Sequence, residues 1–279
     1  MMLRPSLSAL SIVNYIMSHV RLTYLPNRVA QLTLCAPPIN AMTVKMGTDF
    51  GAVLSTLDTA KASAVVLHGE GSSFSAGGDI SFLRQRATTS PSENVQTMLD
   101  FYSLYLEPLR FCPVPVIASV HGNAVGAGAC LATACDMRVV SSDAKVGFTF
   151  TSGVAIHPGM GSTHFLSKII GQEHAARLLL TGELLSGRTM VSMGWGMEAV
   201  DVPEDVLKRA IKLAERVAAA APTASRLTLE TLRAAGNVGL REALEREAQA
   251  QAECYAGSDF LVGVEAVVAK AKPAWTQYS

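Results

Sequence analysis

The stretch from His121 to Asp136, HGNAVGAGACLATACD, decides how this chain is read. It follows an apolar run, Pro115 to Val120, of the kind that forms a buried strand. It then passes through Gly126, Ala127 and Gly128 into Ala129, Leu131, Ala132 and Ala134, which suit a helix. A strand that ends in small residues at a helix start leaves backbone N–H groups without partners. Their partial positive charge suits a negative charge developing on oxygen. The same glycines also allow strand and helix simply to pack closely, so this stretch alone leaves both readings open.

The pattern recurs on the N-terminal side. Ala64-Val65-Val66-Leu67 reads as a short buried strand, and the loop Gly69 to Ser73 delivers FSAGGDI, Phe74 to Ile80. A further strand, Met137 to Val140, follows the opening stretch, and a third glycine segment, HPGMGSTHFL from His157 to Leu166, again opens into a helix. Repetition of strand, glycine loop and helix predicts an α/β architecture of stacked turns. Around it, Val20 to Leu34 reads as a hairpin about Leu25-Pro26-Asn27, stopped by Ala36-Pro37-Pro38. Asn40 is the expected cap of a helix through Met46, Phe50, Val53 and Leu57, and Glu93 to Arg110 is a second helix ahead of Pro113 and Pro115. Glu198 to Val202 reads as a strand, Val206 to Ala221 as a helix, and everything after Pro222 as helical. Leu227, Leu232, Leu240, Leu244, Tyr255, Phe260 and Val264 give that tail enough apolar surface to cover a core or a neighbouring subunit.

Bulk properties narrow the function classes. With 279 residues, 49% hydrophobic and 16% charged, the chain can bury a sizeable core. Basic and acidic residues balance at 23 each, so no net charge draws the protein to nucleic acid or an anionic membrane. The cysteines are scattered without C-x-x-C spacing, which argues for a reducing compartment and no structural metal, and no apolar run is long enough to predict a membrane span. Met1 to Thr48 lacks Asp and Glu while carrying Arg4, Arg21, Arg28 and Lys45. This composition fits a mitochondrial presequence ending near Met17 to Val20. The other reading is a disordered extension on a cytoplasmic protein. The expected layout is an extension over 1–19, a core over 20–221 and a helical region over 222–279.

FSAGGDI followed by PVIASVHGNAVGAGACLATACD, together with LLLTGELLSGRTMVSMGWGMEAV, resembles the enoyl-CoA hydratase/isomerase (crotonase) superfamily over residues 20–279. The resemblance implies a spiral of ββα turns and a C-terminal helical region that builds a homotrimer or a dimer of trimers. It also implies an acyl-CoA thioester as ligand, with CoA part of the substrate and no separate cofactor. By resemblance, the N–H groups of Gly78 and Ala127 form an oxyanion hole, with Ala127 standing where the family usually has glycine, and Asp79 ties down the first loop. Ser75, Ala76, Gly77 and Leu83 are expected beside CoA, and Lys270 and Lys272, in VVAKAKPAW, at its phosphates.

The chain departs from the family where the hydratases carry two glutamates. Cys130 matches the first, and Thr151, or Phe150 with a different gap, matches the second. Neither position supplies a carboxylate, and a thiol becomes a base near neutral pH only when its pKa falls well below about 8.5. Efficient water addition is therefore not expected. Pro158 is followed by Gly159, where acyl-CoA hydrolases and dehalogenases of the superfamily have aspartate. Further candidates are His157, Tyr102, Ser103, Tyr105, His68, His121 and Glu70, each with packing or loop support as its first reading. Two functions are expected from this: an enzyme that stabilises a thioester enolate, or a non-catalytic acyl-CoA-binding or scaffolding member.

Overall fold

Strand, loop and helix alternate through most of the computed structural model, which describes residues 14–273. The chain opens with β1 (Asn14–Ile16), β2 (Val20–Leu25) and β3 (Val29–Leu34), then α1 (Val44–Ser55), β4 (Ala64–Gly69), α2 (Ile80–Arg86) and α3 (Pro91–Arg110). The central turns are β5 (Val116–Val120), β6 (Asn123–Val125), α4 (Ala127–Ala134), β7 (Met137–Ser141), β8 (Lys145–Gly147) and α5 (Phe150–Val154). Then come α6 (Ser162–Ile170), α7 (Gln172–Thr181), β9 (Leu184–Ser186), α8 (Gly187–Ser192), β10 (Glu198–Val200) and α9 (Val206–Ala218). The C-terminal region is α10 (Pro222–Asn237), α11 (Leu240–Ala256) and α12 (Ser258–Ala269).

Seven strands form one sheet in the order β1-β2-β3-β4-β5-β7-β10, parallel from β3 onward, and β6, β8 and β9 form a second, smaller sheet. Strand periodicity sorts the side chains. Val65, Leu67, Ala118 and Val140 join the main core with α1, α3 and α4, whereas Ala64, Val66, Ile117 and Val139 face the Val206, Ala210, Ala214 and Ala218 stripe of α9. Each central turn pairs a long strand of the large sheet with a short outer one. In the first, Ser75 supplies only a single bridge to Ala124 of β6. This is the expected α/β spiral of ββα turns.

Several boundaries differ from the sequence reading. The sheet begins at β1, which pairs antiparallel with β2, and the Ser18 hydroxyl and His19 N–H donate to Asp49 on α1, both at 3.1 Å. Residues 14–19 are thus part of the fold rather than an extension, and only 1–13 of the supposed presequence lie outside the described residues. Thr43, not Asn40, caps α1 by accepting the Met46 N–H. Asn40 instead sits fully buried at φ 48°, accepting from Ala36 N–H and donating to the carbonyls of Glu70 and Ser73. It ties the first glycine loop to the chain end of β3. Helix α3 starts at Pro91 behind a Ser90–Glu93 capping box, and the strand expected over 198–202 ends at Val200.

The C-terminal helices fold back over their own core. Helix α11 lies along α3, and α12 lies against α5 and α2. Arg233 of α10 anchors the region: its guanidinium donates to both Asp136 oxygens, at 2.9 and 2.5 Å, and to the carbonyls of Arg110, Cys112 and Val114. Among the described residues no helix is long and apolar enough to cross a membrane.

Candidate active site

The two glycine loops meet at one cavity of about 180 Å³. Ala76, Gly77 and Gly78 form one wall and Val125, Gly126 and Ala127 the facing one. Phe82, Leu83, Phe101 and Phe150 make its sides. Tyr102, Gln251 and Tyr255 form its buried end, and half-exposed Val267 borders the open end.

Local hydrogen bonding explains both walls. In the first loop, Met42 N–H donates to Gly77 O at 2.8 Å and Asp79 N–H to Met42 O at 3.2 Å. Gly78 lies between them with its own N–H unpartnered among the described residues, and nothing lies within 4 Å of where its Cβ would be. Gly77 holds φ 95°, and a Cβ there would come within 2.7 Å of Val125 O, so the loops touch backbone to backbone. In the second loop, Gly126 holds φ 54° and donates to Gly147 O at 2.9 Å. Ala127 is the first residue of α4, so its N–H has no acceptor in the helix and none elsewhere among the described residues. A Cβ on Gly128 would fall within 2.4 Å of Ser75 O, so glycine is needed where the helix start meets the first loop.

The residues singled out in the sequence fall into separate groups. Gly78, Ala127, Ala76, Gly77 and Leu83 line the cavity. Ser75 lies beneath it, fully buried, with its hydroxyl donating to Asn40 O and accepting from Gly77 N–H. Asp79 caps α2 by accepting the Phe82 N–H. Cys130 does not reach the cavity: it is completely buried, and burial, with Glu247 adding to it, pushes its thiol well above the usual range. Thr151 is also outside, its hydroxyl donating to the carbonyls of Leu179 and Leu180 at 2.8 and 3.1 Å. Phe150, the alternative match, lines the cavity with a ring. Lys270 and Lys272 are exposed just beyond α12.

The remaining candidates serve the framework. Tyr105 donates to Thr43 O at 2.6 Å, and Glu70 pairs at 3.9 Å with Arg21. His68 and His121 stack at 4.7 Å, where burial and the second ring push His68 down to about 4. Ser103 is half-buried on α3 and does not line the cavity. His157 packs its Nδ1 against Pro158 O, and burial lowers its pKa. None of the cavity-lining residues is Asp, Glu, His, Lys, Arg or Cys.

Sequence reasoning missed what α11 contributes. Tyr102 donates to Gln251 Oε1 at 2.9 Å, Tyr255 donates to the same oxygen at 3.2 Å, and Gln251 Nε2 donates to His157 O at 2.7 Å. A Cβ on Gly159 would lie 2.5 Å from both the Tyr102 hydroxyl and Gln251 Nε2. This polar cluster therefore occupies the space a side chain at 159 would need. Just behind it, buried Glu247 accepts from Gly161 N–H, Thr163 N–H and the Thr163 hydroxyl at the start of α6. Burial pushes Glu247 up to about 7 against the pull of those three bonds. The available signal was spacing: Ala243, Glu247, Gln251 and Tyr255 recur every four residues, which puts two polar residues on a buried stripe.

Known proteins of one family resemble this chain in sequence and fold. The family model described as enoyl-CoA hydratase/isomerase matches residues 25–278. A crotonyl-CoA hydratase of Syntrophomonas wolfei is 31% identical over 79% of this chain and 83% of its own. The mitochondrial Delta(3,5)-Delta(2,4)-dienoyl-CoA isomerase of Dictyostelium discoideum is 30% identical over 88% of this chain and 86% of its own. The crystal structure of an enoyl-CoA hydratase/isomerase from Pseudoalteromonas atlantica superposes with a TM-score of 0.78 at 26% identity, covering 92% of this chain and all of that one. With two glycine loops facing one cavity in a ββα spiral, and with a match that runs from the first hairpin to the C-terminal tail, the chain belongs to the enoyl-CoA hydratase/isomerase family.

Proposed function

We propose that the protein is an enzyme that binds an acyl-CoA thioester in this cavity, with the thioester oxygen at the N–H groups of Gly78 and Ala127. The observation that carries the reading is that two unpartnered N–H groups from separate loops border one apolar cavity. Two such donors favour the enolate-like oxyanion over the ground-state thioester, because negative charge on oxygen grows during the reaction. The acyl group lies among Phe82, Phe101 and Phe150, and CoA leaves past Leu83 and Val267 toward Lys270 and Lys272.

The lining supplies polarisation but no carboxylate to move a proton. A positioned acid or base contributes about 10²–10⁴ in rate, so reactions that need none from the protein suit the site better than hydration. The same lack of a titratable lining favours the second reading, an acyl-CoA-binding member without turnover. The exposed apolar residues Leu227, Leu232 and Val238 support assembly of the chain into a trimer through its C-terminal region. The acid-free N-terminus supports import into mitochondria.

Calorimetry with butyryl-CoA, together with turnover assays on crotonyl-CoA, 3-hydroxybutyryl-CoA and malonyl-CoA, tests these readings. Turnover of any supports the enzyme, and tight binding without turnover of any supports the binding member. Absence of binding by every thioester overturns both.

A further inference from the structure

We infer that Thr149 is the residue that selects the acyl group, its hydroxyl bonding to a neutral oxygen, a hydroxyl or oxo group, carried on the acyl chain. The inference rests on the acyl-CoA reading above and deepens it.

Four polar side chains line the cavity: Tyr102, Gln251, Tyr255 and Thr149. The first three are spent on one another, since both phenols donate to Gln251 Oε1 and the amide donates to His157 O. Thr149 stands apart. It occupies the N-cap position of α5, where a threonine hydroxyl ordinarily accepts a backbone N–H of the first turn, yet it makes no such bond. Its hydroxyl has no hydrogen-bond partner among the described residues, and the residue borders the cavity, so both its donor and its acceptor capacity are free for a ligand there. Half-buried beside Phe150 and Val154, it gains most from a partner that arrives with the ligand.

The chemistry of the partner follows from the rest of the lining. No cationic side chain borders the cavity, so a carboxylate on the acyl chain would be buried without a counter-charge. A hydroxyl or oxo oxygen carries no such penalty, and one threonine hydroxyl can donate to either and accept from the first. A plain alkyl chain brings Thr149 no partner.

Calorimetry with butyryl-CoA, 3-hydroxybutyryl-CoA, acetoacetyl-CoA and malonyl-CoA tests this in the full-length protein. Wild type is expected to bind the two β-oxygenated thioesters more tightly than butyryl-CoA. Thr149→Val, which keeps the shape and removes the hydroxyl, is expected to weaken them about 5-fold while shifting butyryl-CoA less than about 2-fold. Thr149→Ser should restore the preference. If Val does not fold at this position, as judged by its melting curve, Thr149→Ala gives the same readout. Equal losses for all ligands, no loss for any, or tightest binding of malonyl-CoA overturns the assignment while leaving acyl-CoA binding intact. Failure of wild type to bind any thioester overturns the acyl-CoA reading itself.

Discussion

Ala127 offers an unusually clean way to remove one backbone donor. It is the first residue of α4, and proline is well tolerated there because the N–H at that position has no place in the helical ladder. The preceding residue, Gly126, lies at φ 54° and ψ −124°, the mirror image of the extended conformation that residues before proline prefer, and it has no Cβ to collide with the ring. Ala127→Pro therefore deletes the N–H without costing a helical bond and sets the ring Cδ where that hydrogen stood. If that N–H holds the thioester oxygen, its loss should lower kcat by about 10²–10³, about 3–4 kcal/mol of transition-state stabilisation. Melting should move by only a few degrees, since no ladder bond disappears. Ala127→Gly keeps the donor and should retain most of the rate. Steady-state kinetics on whichever thioester turns over gives the main readout. Infrared difference spectra of a ¹³C-carbonyl acyl-CoA provide one that needs no turnover, because a polarised carbonyl vibrates at lower frequency and should recover toward its free value in the proline variant. A folded Ala127→Pro protein with wild-type rate and unshifted carbonyl frequency would refute the assignment of this donor.

Two further outcomes follow from the buried charges. Arg233→Met should destabilise the fold by about 2–4 kcal/mol in urea titrations, because partly buried Asp136 is left with only the longer Arg110 ion pair at 3.6 Å, and Arg233→Met with Asp136→Asn should recover part of that loss. Glu247 binds its proton more tightly folded, at about 7, than unfolded, near the ordinary 4.5. Its contribution is therefore fully present below about 4.5 and is lost as the pH rises through 7, a change of order 3 kcal/mol. Glu247→Gln should flatten the stability curve over that window in denaturation series, and an unchanged slope would contradict the raised pKa.

The spiral could be read from residues because its signals are local. Runs such as Ala64 to Leu67 and glycines such as Gly77 and Gly126 each mark a strand end that must turn tightly. The departures have physical reasons. Asn40 has the side chain of a helix cap, but the same amide can bridge distant carbonyls, and the loop at Glu70 and Ser73 claimed it. Helices α2 and α5, of seven and five residues, are too short for an apolar period to show. Strand β1 was hidden because an acid-free, apolar-rich segment reads equally as a leader and as an edge strand.

The site was half legible. Both loop donors are motif residues, but a helix turns about 100° per residue, so a one-residue shift decides what faces the cavity. Thr149, Phe150 and Val154 line it, while Thr151 points to the end of α7. Gln251 and Glu247 were invisible as site residues because their partners lie far away in the chain, at Tyr102, His157 and Gly161.

That distance bears on how the protein is made. The buried end of the cavity is closed by a hydrogen bond between residues 149 positions apart, and its open end is flanked by an Arg84–Glu265 ion pair spanning 181. Contacts of such separation form late, after the loop-closure entropy of nearly the whole chain has been met. During synthesis the spiral turns can assemble in order from the N-terminus, but the cavity has no floor until α11 emerges and no completed rim until α12 does. A chain cut between α10 and α11 would keep every motif by which the family is known and would still lack an enclosed site.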